Sequence, residues 1–560
     1  TFRSGRIDVG DALLNTSIGE GAGDAITTGY RNVAMGNAAL TANTTGHSNV
    51  AIGYQALNAN TTTAHNVAIG RDALKVATAG DNVAVGYAAL DANTTGTRNV
   101  GLGDNALGAT TTGSQNTAVG GNNMQANTTG AYNTSVGSGA LTANTTANDN
   151  TAIGYAALTA NTTGADNTAL GSYALDANTT ASKNTAIGGK SLSANTTGTE
   201  NTAVGHQALE ANTTASYNTA VGYRALEANT TGSSNIAIGW QALKDNLTTN
   251  QNVAIGNNAL QSNTAAANVA IGADALTNNT TGDSCTAVGY AALDANTTGA
   301  HNTALGHSAL GANTTASDNT AVGYQALTAN TTGTDNTAVG MQVLKAVTTA
   351  SNNSGFGDKA LTANTSGANN NAFGANALGS NTTGASNVAM GSGALFTNTT
   401  GSLNTAFGHA ALEQATTADS NTAVGQAALY ANTTGYYGVA IGDRALAANT
   451  TANGNVAIGY KALEDNTTTN IHVAIGFEAL KENTTGSNHV AVGGYALKSN
   501  TTGTQNTGVG YYALGANTTG DSNTALGYQA LDSNTTADNN TGLGYQALSA
   551  NTTGASNTAV

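Results

Sequence analysis

The residues that could do chemistry recur at fixed places along this chain. The pattern Asn-x-Ser/Thr returns again and again, at Asn43, Asn93, Asn127, Asn144, Asn161, Asn178, Asn195, Asn330, Asn517 and Asn551 among others. In an exported chain that pattern accepts N-linked sugar, which makes these asparagines candidate glycosylation sites. The plainer reading is a polar turn whose Asn and Thr side chains stack on their copies. Aromatic residues also share one recurring place: Tyr54, Tyr87, Tyr155, Tyr223, Trp240, Tyr290 and Tyr324. A ring with a polar tip there could take the face of a sugar, or cover a groove between chains.

Other reactive side chains are sparse. His206, His307 and His409 occupy the same place as the tyrosines, whereas His472 and His489 stand at another shared place in adjacent repeats. Two imidazoles make an incomplete metal site. The single cysteine, Cys285, permits no disulfide framework and no thiolate metal site within the chain, and it is expected to be an inert small residue. Acidic residues such as Asp91, Asp176, Glu210 and Glu227 sit at polar places. No set of titratable groups is gathered as acid–base catalysis requires. The expectation is a non-enzyme with no catalytic residue, cofactor or metal.

The element that positions all of these is a repeat of 17 residues, shortened to 16 in two places. Anchored on the Gly of "TAVG" or "VAIG", from Gly19 to Gly544, it reads N-T/V-A-V/I/L-G-x-x-A-L-x-A-N-T-T-G/A-x-x, numbered here as positions 1 to 17. Positions 2 to 4 have strand chemistry, with apolar residues on both faces. Positions 8 to 11 read as a second, half-wet strand, since the run is too short to nucleate a helix. The Asn-Gly-rich stretch between them reads as turns. Two strands and two turns describe one coil of a flattened parallel β-solenoid, and no threefold subdivision points to a three-sided helix. About 32 coils, stacked at the strand spacing, would make a rod about 150 Å long. Gly at position 5 implies a corner with positive φ or a close backbone approach. Asn at positions 1 and 12 implies amide ladders between coils.

Composition bounds the function. The chain has 560 residues, 8% of them charged, a formal net charge of −15, and no proline. No basic cluster is present to neutralise phosphates, so nucleic acid and anionic membrane surfaces are poor partners. No apolar run approaches a bilayer span. The sequence begins at Thr1 without a signal-like stretch and stops at Val560 inside the motif. A segment of a longer array is therefore expected, with residues 1–18 a degenerate first coil or lead-in and 19–560 continuous.

The motifs "NVAIG" at 66–70, 252–256 and 455–459, and "NTAVGYQAL" at 319–327, resemble the head repeats of trimeric autotransporter adhesins. Similar arrays occur in phage tail fibres. The resemblance covers the chain from Asn15. It implies a left-handed two-sided β-roll, three parallel chains packed through their "VAIG" strands, and no catalytic residues. It further implies that Val322 and Val339 fill the coil while Ala321 and Ala338 face a neighbouring chain, or the reverse. Departures from the family are the longer coil and the lack of a neck, stalk or anchor barrel. The expected function is an extracellular structural fibre or spacer, a homotrimer or longer filament on a microbial surface or virion tail. The alternative is an adhesin or receptor-binding fibre that recognises surface glycans through its side ridges.

Overall fold

A computed structural model describes residues 6–9 and 12–560. The rest of the 1–18 lead-in lies outside the described residues. The chain divides into two units, 1–280 and 281–560. In each, the repeat forms a parallel β-solenoid of 17-residue coils, and no helix occurs among the described residues. The array is preceded by one antiparallel pairing, Arg6–Val9 against Thr16–Gly19.

Each coil contributes a three-residue strand at positions 2 to 4, as in Thr320–Val322. Like residues pair in register: Thr320 with Thr337, Ala321 with Ala338, Val322 with Val339. The 16-residue coils keep this register, Val67 opposite Val83 and Val253 opposite Val269. The missing residue is taken from the turn beyond position 12, where the backbone carries no ladder side chain.

The expected second strand does not form. Positions 7 and 9 hold left-handed backbone, at φ 53° for Gln325 and 51° for Leu327, and position 17 does so too, at 59° for Asp335. A strand cannot contain alternate left-handed residues, so this side is a chain of overlapping turns. Ala326 N–H donates to Gly323 C=O (3.3 Å), and Asn330 N–H to Leu327 C=O (3.1 Å). The remaining donors cross between coils in both directions. Gln325 N–H reaches His307 C=O at 3.0 Å, and Leu327 N–H reaches Val343 C=O at 3.0 Å. These bonds between coils take the place of a second sheet.

The core is thin and made of small residues. Ala321, Ala326 and Leu327 are fully buried, as are most of their counterparts before the final coil. The two sides meet through these positions: a Cβ added at Gly101, position 3, would lie 3.4 Å from Leu90 Cδ1. Gly323, at the corner, has φ +134°, and a Cβ there would strike the carbonyl oxygen of Gly340 in the next coil. Both reasons expected for glycine at position 5 therefore apply together.

Candidate functional site

Two amide ladders run through the core and converge on one carbonyl. At position 1, the Oδ1 of Asn319 accepts the N–H of Asn336 one coil on (3.1 Å), and Asn319 Nδ2 donates to Gly333 C=O at position 15 of its own coil (2.9 Å). At position 12, Asn330 Nδ2 donates to the same Gly333 carbonyl (2.9 Å) and to Asn313 Oδ1 one coil back (3.1 Å). The ladders close each coil and splice it to its neighbours, and they satisfy amides that would otherwise be costly to bury.

This geometry argues against the glycosylation reading. Asn43, Asn93, Asn127, Asn144, Asn161, Asn178, Asn195, Asn330 and Asn517 are all fully buried. The nitrogen that would carry sugar is a ladder donor: Asn178 Nδ2 bonds Asn161 Oδ1 at 2.9 Å and Ala181 C=O at 3.0 Å. A glycan would displace both bonds and has no room inside the coil. Asn551, half-buried in the final coil, makes the same two kinds of bond, to Asn534 Oδ1 (3.1 Å) and Gly554 C=O (2.9 Å). Exposed hydroxyls lie instead at position 14, in Thr45 and its counterparts.

Where the ladder residue changes, the consequence is visible. Asn330 and Asn398 each have a buried Oδ1 with no partner, because Val347 and Ala415 stand at position 12 of the following coil and offer no donor. Asn93, followed by Thr110, is left in the same state. Asn60 faces Ala77, but its Oδ1 accepts the hydroxyl of Thr63 instead.

Cys285 and the histidine pair occupy position 1 and do the work of asparagine there. The Cys285 thiol is 3.3 Å from Gly299 C=O, the closure carbonyl of its coil, and burial pushes its pKa up. His472 and His489 stack with ring centroids 5.3 Å apart. His472 Nδ1 accepts His489 N–H (3.3 Å), and His489 Nδ1 accepts Asn506 N–H (3.2 Å). The second nitrogen of His472 meets the Thr469 hydroxyl at 2.9 Å. Burial, with His489 adding, lowers the His472 pKa to about 3, and burial lowers that of His489 to about 4. The pair is a neutral part of the ladder. No group of three or more His, Cys, Asp and Glu suited to a metal occurs among the described residues.

The strand faces are the reverse of the first assignment. Ala321 and Ala338 fill the coil, and Val322 and Val339 point outward, partly exposed. The reason is space: with Leu327 pressing from the other side, only Ala, Gly or Ser fits at position 3. The outer face of the sheet therefore carries mostly Thr or Val at position 2 beside Val, Ile, Leu, Met or Phe at position 4. Leu305 is 46% and Phe407 52% exposed. Phe356 and Phe373 stack on this face at 4.8 Å. Within each unit the large position-4 side chains form an apolar column that nothing among the described residues covers.

The aromatic ridge at position 6 lies outside the coil, from Tyr223 at 42% exposed to Tyr155 at 56%, with Tyr54, Tyr87, Trp240, Tyr290 and Tyr324 in between. Many of its rings cover one another. Tyr223 stacks on His206 (5.9 Å) and on Trp240 (6.5 Å), while His307 lies between Tyr290 (5.2 Å) and Tyr324 (5.4 Å). Arg71 lies 5.6 and 5.8 Å from the rings of Tyr54 and Tyr87. Stacked rings offer ligands their edges and hydroxyls rather than their faces.

The turn side carries the charge. Ion pairs join positions 7 and 10 within a coil, as in Arg224–Glu227 (3.1 Å), or between coils, as in Lys498–Glu478 (2.7 Å). Grooves open on this side where small residues replace long ones. One of them has a volume of about 540 Å³ and includes Tyr430, Arg444 and Glu413. The sequence reading missed it. The only signal was Ala447, at position 10, where most coils carry a longer side chain. No protein-family profile and no curated protein matches the chain.

Proposed function

We propose that the chain is a non-catalytic structural fibre, exported to a cell surface or a virion tail, and built as a parallel homotrimer of left-handed coils. The observation that carries this reading is the outer sheet face. Position 4 sets large apolar side chains outside the coil, where a monomer leaves them in water: Ile153 at 36%, Leu305 at 46%, Leu526 at 46%. Burying such a column against two copies of itself gains roughly 25 cal/mol per Å², and three sheets meeting on an axis leave no face unmatched. The charged turn side then faces solvent on every chain, where the formal −15 per chain keeps fibres apart. The resemblance to adhesin-head and tail-fibre repeats agrees with this arrangement.

Native mass measurement tests it. The expected species has three times the 54.9 kDa chain mass. Replacing Val322, Val339, Phe356 and Phe373 together by Lys is expected to break or loosen the trimer while leaving the coils folded by circular dichroism. A monodisperse monomer of the unmodified chain would sink the proposal.

A further inference from the structure

We infer that the groove beside Tyr430 is a binding site for a short neutral or amino-sugar oligosaccharide. The inference goes beyond the assembly reading and holds for a single chain as well as for a trimer, because the groove lies on the turn side, away from the sheet.

Three observations carry it. The first is shape. Ala427, Ala431, Ala447 and Ala448 form an apolar floor in a groove of about 540 Å³, a usual size for small-ligand sites. It reaches from His409 to Asp465. Those residues belong to four consecutive coils, so the groove is about 14 Å long at the strand spacing. Each pyranose of a β-linked chain is about as long as one coil step, so two or three rings fit.

The second is a bare aromatic ring. In two other grooves on the turn side the tyrosine is already covered. Tyr173 packs against Tyr155 at 5.3 Å, and Tyr512 stacks on Tyr495 at 4.8 Å. Tyr430 is 38% exposed, and no other ring packs on it among the described residues. The reason lies in the sequence. The position-10 neighbours of Tyr430 are Glu413 on one side and Ala447 on the other, and neither is aromatic. An aromatic face over an apolar floor suits the C–H face of a sugar.

The third is the rim. Glu413, Gln426, Arg444, Glu464 and Asp465 surround the floor, with Arg444 held 3.7 Å from Glu464. Carboxylates, an amide and a guanidinium offer both acceptors and donors to sugar hydroxyls. Three carboxylates against one guanidinium leave the rim negative, which favours an amine and disfavours a carboxylate on the ligand.

The test uses the full chain and four probes in calorimetric titration: the β-1,4 trimers of glucosamine and of N-acetylglucosamine, an acidic sialyl trisaccharide, and a tri-lysine peptide. The expected result is binding of the two trimers, tighter for the amine form, with at least tenfold weaker binding of the acidic sugar. Tyr430→Ala should weaken the trimers at least tenfold. Ala447→Tyr should do the same by stacking a ring on Tyr430, whereas Tyr324→Ala, on the ridge, should change nothing. Both groove variants alter exposed or surface positions, and circular dichroism checks their coils. No binding of either trimer, binding indifferent to both groove variants, or equal binding of the acidic sugar overturns the assignment. Tri-lysine binding as tight as the glucosamine trimer also overturns it and gives the groove to basic peptides.

Discussion

Acid should open this chain first at one place, the coils of His472 and His489. Both imidazoles are almost wholly buried, and each uses Nδ1 as an acceptor for a backbone N–H of the next coil. A proton on Nδ1 removes that acceptor and sets a donor against a donor. The folded pKa values, about 3 and about 4, lie below the ordinary 6.5. The sign follows from that order. The unfolded segment takes protons first as pH falls, so the stability contributed by the neutral pair is complete above about pH 6.5 and is lost below it. At pH 5 an unfolded imidazole is favoured by protonation by about 2 kcal/mol, and the pair by about 4 kcal/mol. The acid groups nearby do not share this window: Lys498 holds the Glu478 carboxyl below its ordinary range, so it is still ionised at pH 5, and Asp521 favours the charged form of His489 only as a minor cause. Solenoid coils contact mainly their neighbours, so the opening should be local. Brief pepsin digestion at pH 4 to 5, read by mass spectrometry, is expected to cut first near Phe477 and Leu480. The double variant His472→Asn with His489→Asn restores the ladder and should abolish that preference. Identical early cuts in the two proteins would refute the reasoning.

Three further outcomes follow from the coil. Ala321→Asp places an unpartnered carboxyl in the core and should cost several kcal/mol or melt its coils, whereas Val322→Asp should spare the monomer fold and weaken association; thermal unfolding and sedimentation separate the two. Gly323→Ala combines a strained φ with a collision against Gly340 C=O and should destabilise by about 3 kcal/mol or more in denaturant unfolding. Val347→Asn, the residue most other coils carry at position 12, gives Asn330 Oδ1 the donor it lacks and should stabilise by about 1 kcal/mol; a loss of stability in calorimetry would count against the ladder account.

Much of the coil was legible because its determinants are local and repeated. The strand at positions 2 to 4, the corner glycine and the two Asn ladders each announce themselves by residue type at a fixed interval. The second side was misread because Ala and Leu carry little conformational information. Its signal was a gap. Val, Ile and Thr are abundant elsewhere in the repeat, yet none occurs at positions 7 and 9 of the left-handed turns, and position 17 has only Ile471 (φ 62°). Branching at Cβ makes left-handed backbone most costly, so leucine that is never replaced by valine or isoleucine marks φ above zero. The faces of the strand were ambiguous for a different reason. Alternation says that Ala321 and Val322 point oppositely but not which one points inward. That was decided by Leu327 across the coil, a contact between segments that periodicity cannot reveal.

The same contact explains why a pattern read as surface chemistry turned out to be core. Asn-Thr-Thr looks like a sugar acceptor because Asn, Thr and turns are usually wet. Here the core is only Ala and Leu thick, too thin to close a coil by apolar burial alone, so the amides are drawn inward to supply directional bonds. In buried polar groups of this kind a missing partner is costly. Asn330 and Asn398, orphaned by Val347 and Ala415, mark places where one substitution leaves its defect on the coil before it. Each defect stays one coil wide because the strand register beside it is unaltered: Thr337 still pairs with Ser354 and Thr405 with Thr422. An array built this way can accumulate changes at positions 6, 7, 10 and 11 at little cost to its coils. Those are the positions from which the aromatic ridge, the ion pairs and the groove at Tyr430 are made.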